Sequence, residues 1–245
     1  MGLLEVEEID ANNFRATQQH YPEEFNLFME LDQLYERTIK LVSGDSPAHR
    51  IQAPLFLLSH RLYINAVLNL CRRKGLEAAA IFRGALEAAG QAHRMKRAPY
   101  CVDVWMNKVD NPERFREEFT SKKMFPKGQP LVSELMVFYS GACEAGSHIS
   151  ISSLAMRYSL VEHETGGGEA RVEYVDKNER PFEILLLWLI RAATLVLDVF
   201  VDIFSDQVEQ VLAWRAKRSN VEARFHALRE KRRVQFREAD GLVGS

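Results

Sequence analysis

The amino-acid sequence predicts an all-α fold, a bundle of four or more long helices with a small β-hairpin insertion. Apolar residues recur at helical spacing along most of the 245 residues. Glycine and proline are scarce, at 13 and 8 residues, which argues against a β-sandwich with many tight turns. The hydrophobic content of 47% and the charged content of 27% are those of an ordinary soluble globular protein that can bury a substantial core.

Three long helices are predicted in the first 97 residues. Turn formers at 43–47 end the first one, and Gly75 ends the second. Proline suits the first turn of a helix, so the second helix is expected to begin at Pro54. The predicted helices cover residues 23–42, 54–74 and 76–97.

The second half of the chain contains helical patterns and one break in the helical period. Two alternating runs around Gly166, Gly167 and Gly168 predict a β-hairpin near residues 157–175. These glycines lack the spacing of a phosphate-binding loop, so a hairpin tip is expected. The helical segments are short helices over 100–126, a long helix over 130–153, and a very long helix from Pro181 to Arg237 with a break near Ser219–Asn220.

Charge is distributed unevenly along the chain. Residues 1–36 contain nine acidic side chains and one arginine, whereas residues 215–237 contain nine lysines or arginines and two glutamates. An acidic head and a basic tail attract each other, within one chain or between chains. The predicted organisation is therefore an acidic N-terminal segment (1–22), a helical bundle domain (23–210) and a basic helical extension (211–245).

The sequence predicts a cytoplasmic protein that has no membrane span. Residues 184–204 are apolar and long enough to cross a bilayer, but Arg191, Asp198 and Asp202 interrupt them, so a buried core helix is expected. The N-terminus lacks the features of a signal peptide. The three cysteines show no metal-binding or disulfide spacing, and we expect neither a metal nor a cofactor.

Narrow files of polar residues mark several predicted helices. Arg83, Glu87 and Gln91 are spaced four residues apart in an otherwise apolar helix. Such a file has three interpretations: a solvated edge, a partly buried ion pair, or a functional site. We expect Arg83 and Glu87 to form an internal ion pair that fixes this helix against the 130–153 helix, near His148.

Two segments carry a resemblance to known proteins. IFRGALEAAGQAHRM is similar to the RxxxE helix of HEPN-like bacterial helical families, some of abortive-infection type, and VFYSGACEAGSHISISS resembles their Ser/His segment. The resemblance covers about residues 25–210. It implies a helical protein of phage defence or of a toxin–antitoxin system. The matching positions are Arg83, Glu87, Tyr139, Ser140 and His148.

Active HEPN ribonucleases carry an arginine followed, after four to six residues, by a histidine on one helix. Arg15 with His20 and Arg157 with His163 have that spacing. They are no more numerous than chance supplies among these arginines and histidines, and neither pair lies in a predicted core helix. The ribonuclease motif is therefore not supported.

The basic stretch 214–237 has three interpretations: a structural or oligomerising helix, a nucleic-acid-binding helix, or a membrane-surface helix. Its candidate binding residues are Arg229, Arg232 and Arg233. The leading functional hypothesis is a non-enzymatic interaction protein that forms a homo-oligomer or binds a protein partner. The alternative is an RNA-binding protein or ribonuclease that uses the basic helix together with the candidate catalytic residues Arg83, Glu87, Glu144 and His148.

Overall fold

The computed structural model describes residues 2–146, 158–162, 168–172, 179–208 and 211–240, and its fold is all-α. Four long helices form its N-terminal part. The last three correspond to the predicted helices, and the first lies where the sequence indicated only an acidic segment. They are α1 (Leu3–His20), α2 (Pro22–Leu41), α3 (His49–Cys71) and α4 (Gly75–Arg97).

Three short helices and one long helix follow. Asn111 caps one short helix by accepting a hydrogen bond from the Arg114 amide at 3.2 Å, and Pro112 occupies its first turn. The predicted 130–153 helix is described as far as residue 146. The four helices are α5 (Cys101–Met106), α6 (Pro112–Glu118), α7 (Ser121–Met124) and α8 (Pro130–Gly146).

Two short strands precede the C-terminal helices. They pair antiparallel, with Tyr158 opposite Val172, and residues 163–167, which include part of the predicted tip, lie outside the described residues. The strands are β1 (Tyr158–Glu162) and β2 (Gly168–Val172). The C-terminal helices are α9 (Glu179–Ile203), α10 (Ser205–Val208) and α11 (Leu212–Ala239).

Two predicted helix boundaries are wrong. Helix α3 begins at His49, so Pro54 lies inside it and removes one backbone hydrogen bond that the helix tolerates near its start. No break occurs near Ser219–Asn220. The very long predicted helix is instead divided into α9, which ends at Ile203, α10, and α11, which begins at Leu212. Ser219 and Asn220 are exposed in the middle of α11, and the buried neighbours Arg218 and Val221 keep that stretch helical against its weak intrinsic propensity.

Helix α9 is the centre of the core and packs against α2, α3, α4, α8 and α11. The Tyr35 hydroxyl of α2 donates a hydrogen bond to the Ala193 carbonyl at 2.8 Å and ties α2 to it. Helix α9 is long and apolar enough to cross a membrane, but 67% of its most apolar window is buried by the rest of the structure. That burial is typical of the core helix of a soluble protein.

Helix α1 is held on the bundle by polar contacts. The Thr17 hydroxyl donates to the Cys71 carbonyl at 2.9 Å, and Lys74 Nζ lies 2.5 Å from the Asp10 carboxylate. Both contacts reach the end of α3 and the start of α4. The acidic first segment is therefore a docked helix.

Candidate functional site

The structure brings several of the predicted site residues together where α4 packs on α8. Burial is the main cause that raises the pKa of Tyr139 to about 12. Cys143 and Glu87 raise it further, whereas Arg83 lowers it. Because Tyr139 stays protonated at neutral pH, its hydroxyl is a hydrogen-bond donor and not a base.

Arg83 and Glu87 do not form the predicted ion pair. Among the described residues no ion pair within 4.0 Å joins them. Glu87 Oε1 instead accepts a hydrogen bond from Gln91 Nε2 at 3.2 Å. Gln91 Oε1 in turn accepts from Trp105 Nε1 at 2.9 Å. Gln91 lies one helical turn beyond Glu87 on the same face of α4. Its side-chain amide therefore links the Glu87 carboxylate to Trp105 of α5.

The other candidates expected on the 130–153 helix are Glu144 and His148 for catalysis and Ser140 for binding. Ser140 and Glu144 are exposed on α8, and His148 lies outside the described residues. Of the four candidate catalytic residues, Arg83 and Glu87 are the pair that the structure places together.

The charged residues Arg191 and Asp198 of α9 pair with other helices and not with the polar residues of α4. Arg191 makes two hydrogen bonds to the Glu134 carboxylate of α8, both at 2.7 Å. Asp198 accepts two from Arg218 of α11, at 2.8 and 2.6 Å. These contacts are paired charges that tie three helices together, as expected of charges next to a core.

The basic helix α11 packs on acidic residues of the same chain. Arg232 Nη2 lies 2.6 Å from Glu24 Oε1 and Arg232 Nη1 lies 3.5 Å from Glu183 Oε1. The acidic head and the basic tail therefore attract each other within one chain, mainly through α2. Further contacts of this kind join Arg224 to Glu30 and Lys231 to Glu23. Lys217 donates to the amide oxygen of Gln33, also on α2.

The two other candidate binding residues of α11 point outward. Arg229 is exposed, and Arg233 is 53% exposed and pairs with Glu230 of its own helix at 2.6 Å. Arg237 continues the same line of exposed arginines at four-residue spacing. The basic extension thus has one face bound to α2 and α9 and one cationic face open to solvent.

An exposed apolar surface lies on α3. From Pro54 to Asn65, the exposed positions of this helix are mostly apolar, with Leu57 at 51%, Leu58 at 45% and Ile64 at 39% exposure. Their polar neighbours are Arg61 and Asn65. We name Leu57, Leu58 and Ile64 the α3 patch. Grouped apolar side chains on a surface mark interaction sites more often than scattered ones do.

An open cleft of about 150 Å³ lies between α1, α2 and α3, next to the α3 patch. Its walls are mainly aromatic and aliphatic, with Phe14 from α1, Phe25 from α2 and Val67 from α3. Asp32 of α2 also lines it, and Oδ1 of Asp32 lies 2.7 Å from Nε2 of His60. The cleft is therefore an apolar concavity with one carboxylate in its wall.

The sequence interpretation missed both the α3 patch and the cleft. A signal for the cleft exists, since Phe25, Phe28 and Asp32 lie on one face of α2 at helical spacing. A signal for the patch exists too, because α3 carries apolar residues on its outer side as well as on its core side. Neither signal says which neighbouring helices leave the residues uncovered.

Cys71 is a fully buried thiol at the end of α3. Burial raises the pKa of the Cys71 thiol to about 12, so that thiol stays protonated. No group of three or more metal-ligating His, Cys, Asp or Glu side chains occurs among the described residues.

The fold and these surfaces define the chain as an all-α helical protein with an exposed apolar surface on α3 and a partly neutralised basic helix. No protein-family model, curated protein or solved structure matches it.

Proposed function

We propose that the protein is a non-enzymatic helical interaction protein that self-associates through the α3 patch. The observation that carries the proposal is the exposure of Leu57, Leu58 and Ile64 within about two turns of one helix. Full burial of an exposed aliphatic side chain gains about 1.5–3 kcal/mol, so these half-exposed side chains would gain roughly half of that each on association.

A second copy of the chain is the partner that fits this surface. In a two-fold symmetric contact the same patch meets itself, so apolar residues face apolar residues on both sides. Arg61 carries the charge on the surface, and a long arginine side chain covers apolar area with its methylene groups while its charged end stays in water.

The test is the molecular mass of the purified chain as a function of concentration. We expect the mass to rise from 28.1 kDa towards twice that value in sedimentation equilibrium. The double variant Leu57→Gln, Leu58→Gln is expected to stay monomeric. Val137→Gln, on the 71%-exposed Val137 of α8, is the matched control and is expected to associate like the wild type. A monomeric wild type, or a double variant that associates equally well, contradicts the proposal.

The biological setting that we propose is cytoplasmic phage defence or a toxin–antitoxin system. The support is the resemblance of the segments around Arg83 and Tyr139 to HEPN-like bacterial families. Phage should then form fewer plaques on bacteria that express the wild type, or those bacteria should grow more slowly. The double variant Leu57→Gln, Leu58→Gln should restore plaque number and growth rate to those of cells without the protein. Equal plating and growth with and without the protein contradict this setting.

A second candidate function is RNA binding through the outer face of α11. The supporting observation is the exposed row Arg229, Arg233 and Arg237, with Glu230 as the acid among them. Neutralising these three arginines to glutamine should weaken RNA binding and reduce its dependence on salt. The control removes the same amount of positive charge elsewhere on the surface. It neutralises Arg114 and Arg116 of α6 and Lys122 of α7. RNA affinity that is unchanged by the first variant argues against this function.

A further inference from the structure

We propose that the cleft between α1, α2 and α3 binds a small molecule that has an apolar, preferably aromatic, body and one ammonium group. The cleft adjoins the α3 patch, because Ile64 lines it whereas Leu57 and Leu58 do not. All of its lining residues belong to one copy of the chain, so the inference does not require self-association. Its basis is the volume of the cleft, the chemistry of its walls and the position of one carboxylate.

The volume and lining suit an apolar body about the size of a benzene ring. A closed cavity of about 150 Å³ with apolar walls is known to take up benzene in another protein, and this cleft has about the same volume. Phe14 and Phe25 contact each other edge to face, with ring centroids 5.9 Å apart, and form one wall. Val67 and Leu68 of α3 form part of the opposite wall. Ligand sites are typically concave, mostly apolar and supplied with few polar groups.

Asp32 supplies the polar group that selects the ligand. Its carboxylate is 28% exposed, and His60, stacked on Tyr35 with centroids 5.3 Å apart, holds its Oδ1. Asp32 is the charged side chain among the described residues that line the cleft. Of the described residues that line the cleft, Tyr63 has the other polar side chain, and its hydroxyl already donates to the Phe28 carbonyl at 2.7 Å.

An ammonium group is the ligand group that this arrangement favours. It donates a charge-assisted hydrogen bond to a carboxylate, and the aromatic rings of the cleft attract a cation through their faces. A carboxylate ligand would instead be repelled by Asp32, and a neutral ligand would gain the apolar contacts alone.

The experiment is a ligand-detected NMR titration of the full chain at pH 8 with three probes of one shape. They are 2-phenylethylamine, which is protonated at this pH, 2-phenylethanol and phenylacetate. We expect the amine to bind about tenfold more tightly than the alcohol and phenylacetate to bind most weakly. Equal affinities of the three probes, or no saturable binding of any of them, would overturn the proposal.

Three variants assign the binding to the cleft. Asp32→Asn should retain the affinity for 2-phenylethanol and lose the preference for the amine. Asp103→Asn, which removes an exposed carboxylate on α5, is the charge-matched control and should keep that preference. Val67→Phe fills the cleft and should abolish the binding of 2-phenylethylamine and of 2-phenylethanol. Circular dichroism checks that this variant folds. A preference for the amine that persists in Asp32→Asn would overturn the assignment even if Val67→Phe fails to fold.

Discussion

The Arg232 guanidinium of α11 contacts the carboxylate of Glu24, a residue 208 positions earlier in the chain, with Nη2 2.6 Å from Oε1. Glu24 is 1% exposed, so its charge depends on this partner. The next residue, Arg233, faces solvent and pairs within its own helix. Two neighbouring arginines of the same basic stretch thus have different roles.

Arg232→Gln should destabilise the fold far more than Arg233→Gln. Removing Arg232 leaves the buried Glu24 carboxylate without its guanidinium partner, and we expect a loss of about 3 kcal/mol. Removing Arg233 breaks an exposed pair and should change stability by less than about 0.5 kcal/mol. Urea unfolding followed by circular dichroism measures both. Equal losses for the two variants contradict the assignment of Arg232 to the α2 interface.

Gly90→Ala should destabilise the protein although alanine is the better helix former. A Cβ at position 90 of α4 would lie 2.7 Å from Cζ of Phe125, which is nearly buried and has little room to move. Overpacking of this kind costs about 1–3 kcal/mol. Gly141→Ala in α8 is the matched control: a Cβ there meets nothing within 4 Å. It should stabilise by about 0.5–1 kcal/mol, as helix propensity predicts. Thermal unfolding of both variants checks the opposite signs.

Glu118 should make a pH-dependent contribution to stability. Hydrogen bonds from Arg94 and then Lys123 lower the pKa of its carboxyl group from 4.5 to about 2. Because the unfolded chain takes up this proton first, the contribution is present at pH 7 and is lost as the pH falls from about 5 towards 2. Wild type should exceed Glu118→Gln by about 1 kcal/mol at pH 7, with the difference shrinking at pH 3.5. Urea unfolding at the two pH values tests this. Glu117→Gln, at an exposed neighbour, should show no such trend.

Arg73→Gly should be more stable than Arg73→Ala. Arg73 has a φ of +64°, which lies in the left-handed region. That conformation costs a residue with a Cβ about 1–2 kcal/mol. Both variants lose the contact of the guanidinium with the Phe182 ring, 3.8 Å from its centroid, and the ion pair with Glu179. They differ in the Cβ, so the free energies of unfolding should differ by about 1 kcal/mol in favour of glycine. A more stable alanine variant would show that the turn relaxes at no cost.

The predicted helices that are correct are those whose signal is local. Helices α2 and α4 follow apolar stripes bounded by turn formers, and their ends lie within one residue of the prediction. The failures have non-local causes. Ser219 and Asn220 stay helical because Trp214, Val221 and Phe225 on either side of them are buried. The first segment is a helix docked on the end of α3, where Thr17 bonds to the Cys71 carbonyl, a contact that no local pattern predicts.

For the candidate site, the sequence predicted which residues share a helix but not which side chains pair. The four-residue spacing of Arg83 and Glu87 placed them correctly on one helix, and Tyr139 of α8 lies nearby. The ion pair did not follow, because Gln91 is an alternative partner on the same face of the helix. Leu57 and Leu58 are candidates for an association surface only because they are exposed. Their exposure depends on which helices pack against α3, which the local sequence does not specify.

The sequence by itself determined the all-α class, most of the long helices and the opposite charges of the two ends, because helical periodicity and charge are properties of neighbouring residues. The tertiary structure decided which acids the basic helix binds, which polar files are ion-paired, and where an apolar face and a cleft remain open. Those outcomes depend on contacts between residues far apart in the chain, such as Glu24 and Arg232. They are set by the packing of α2, α3 and α11 around the bundle.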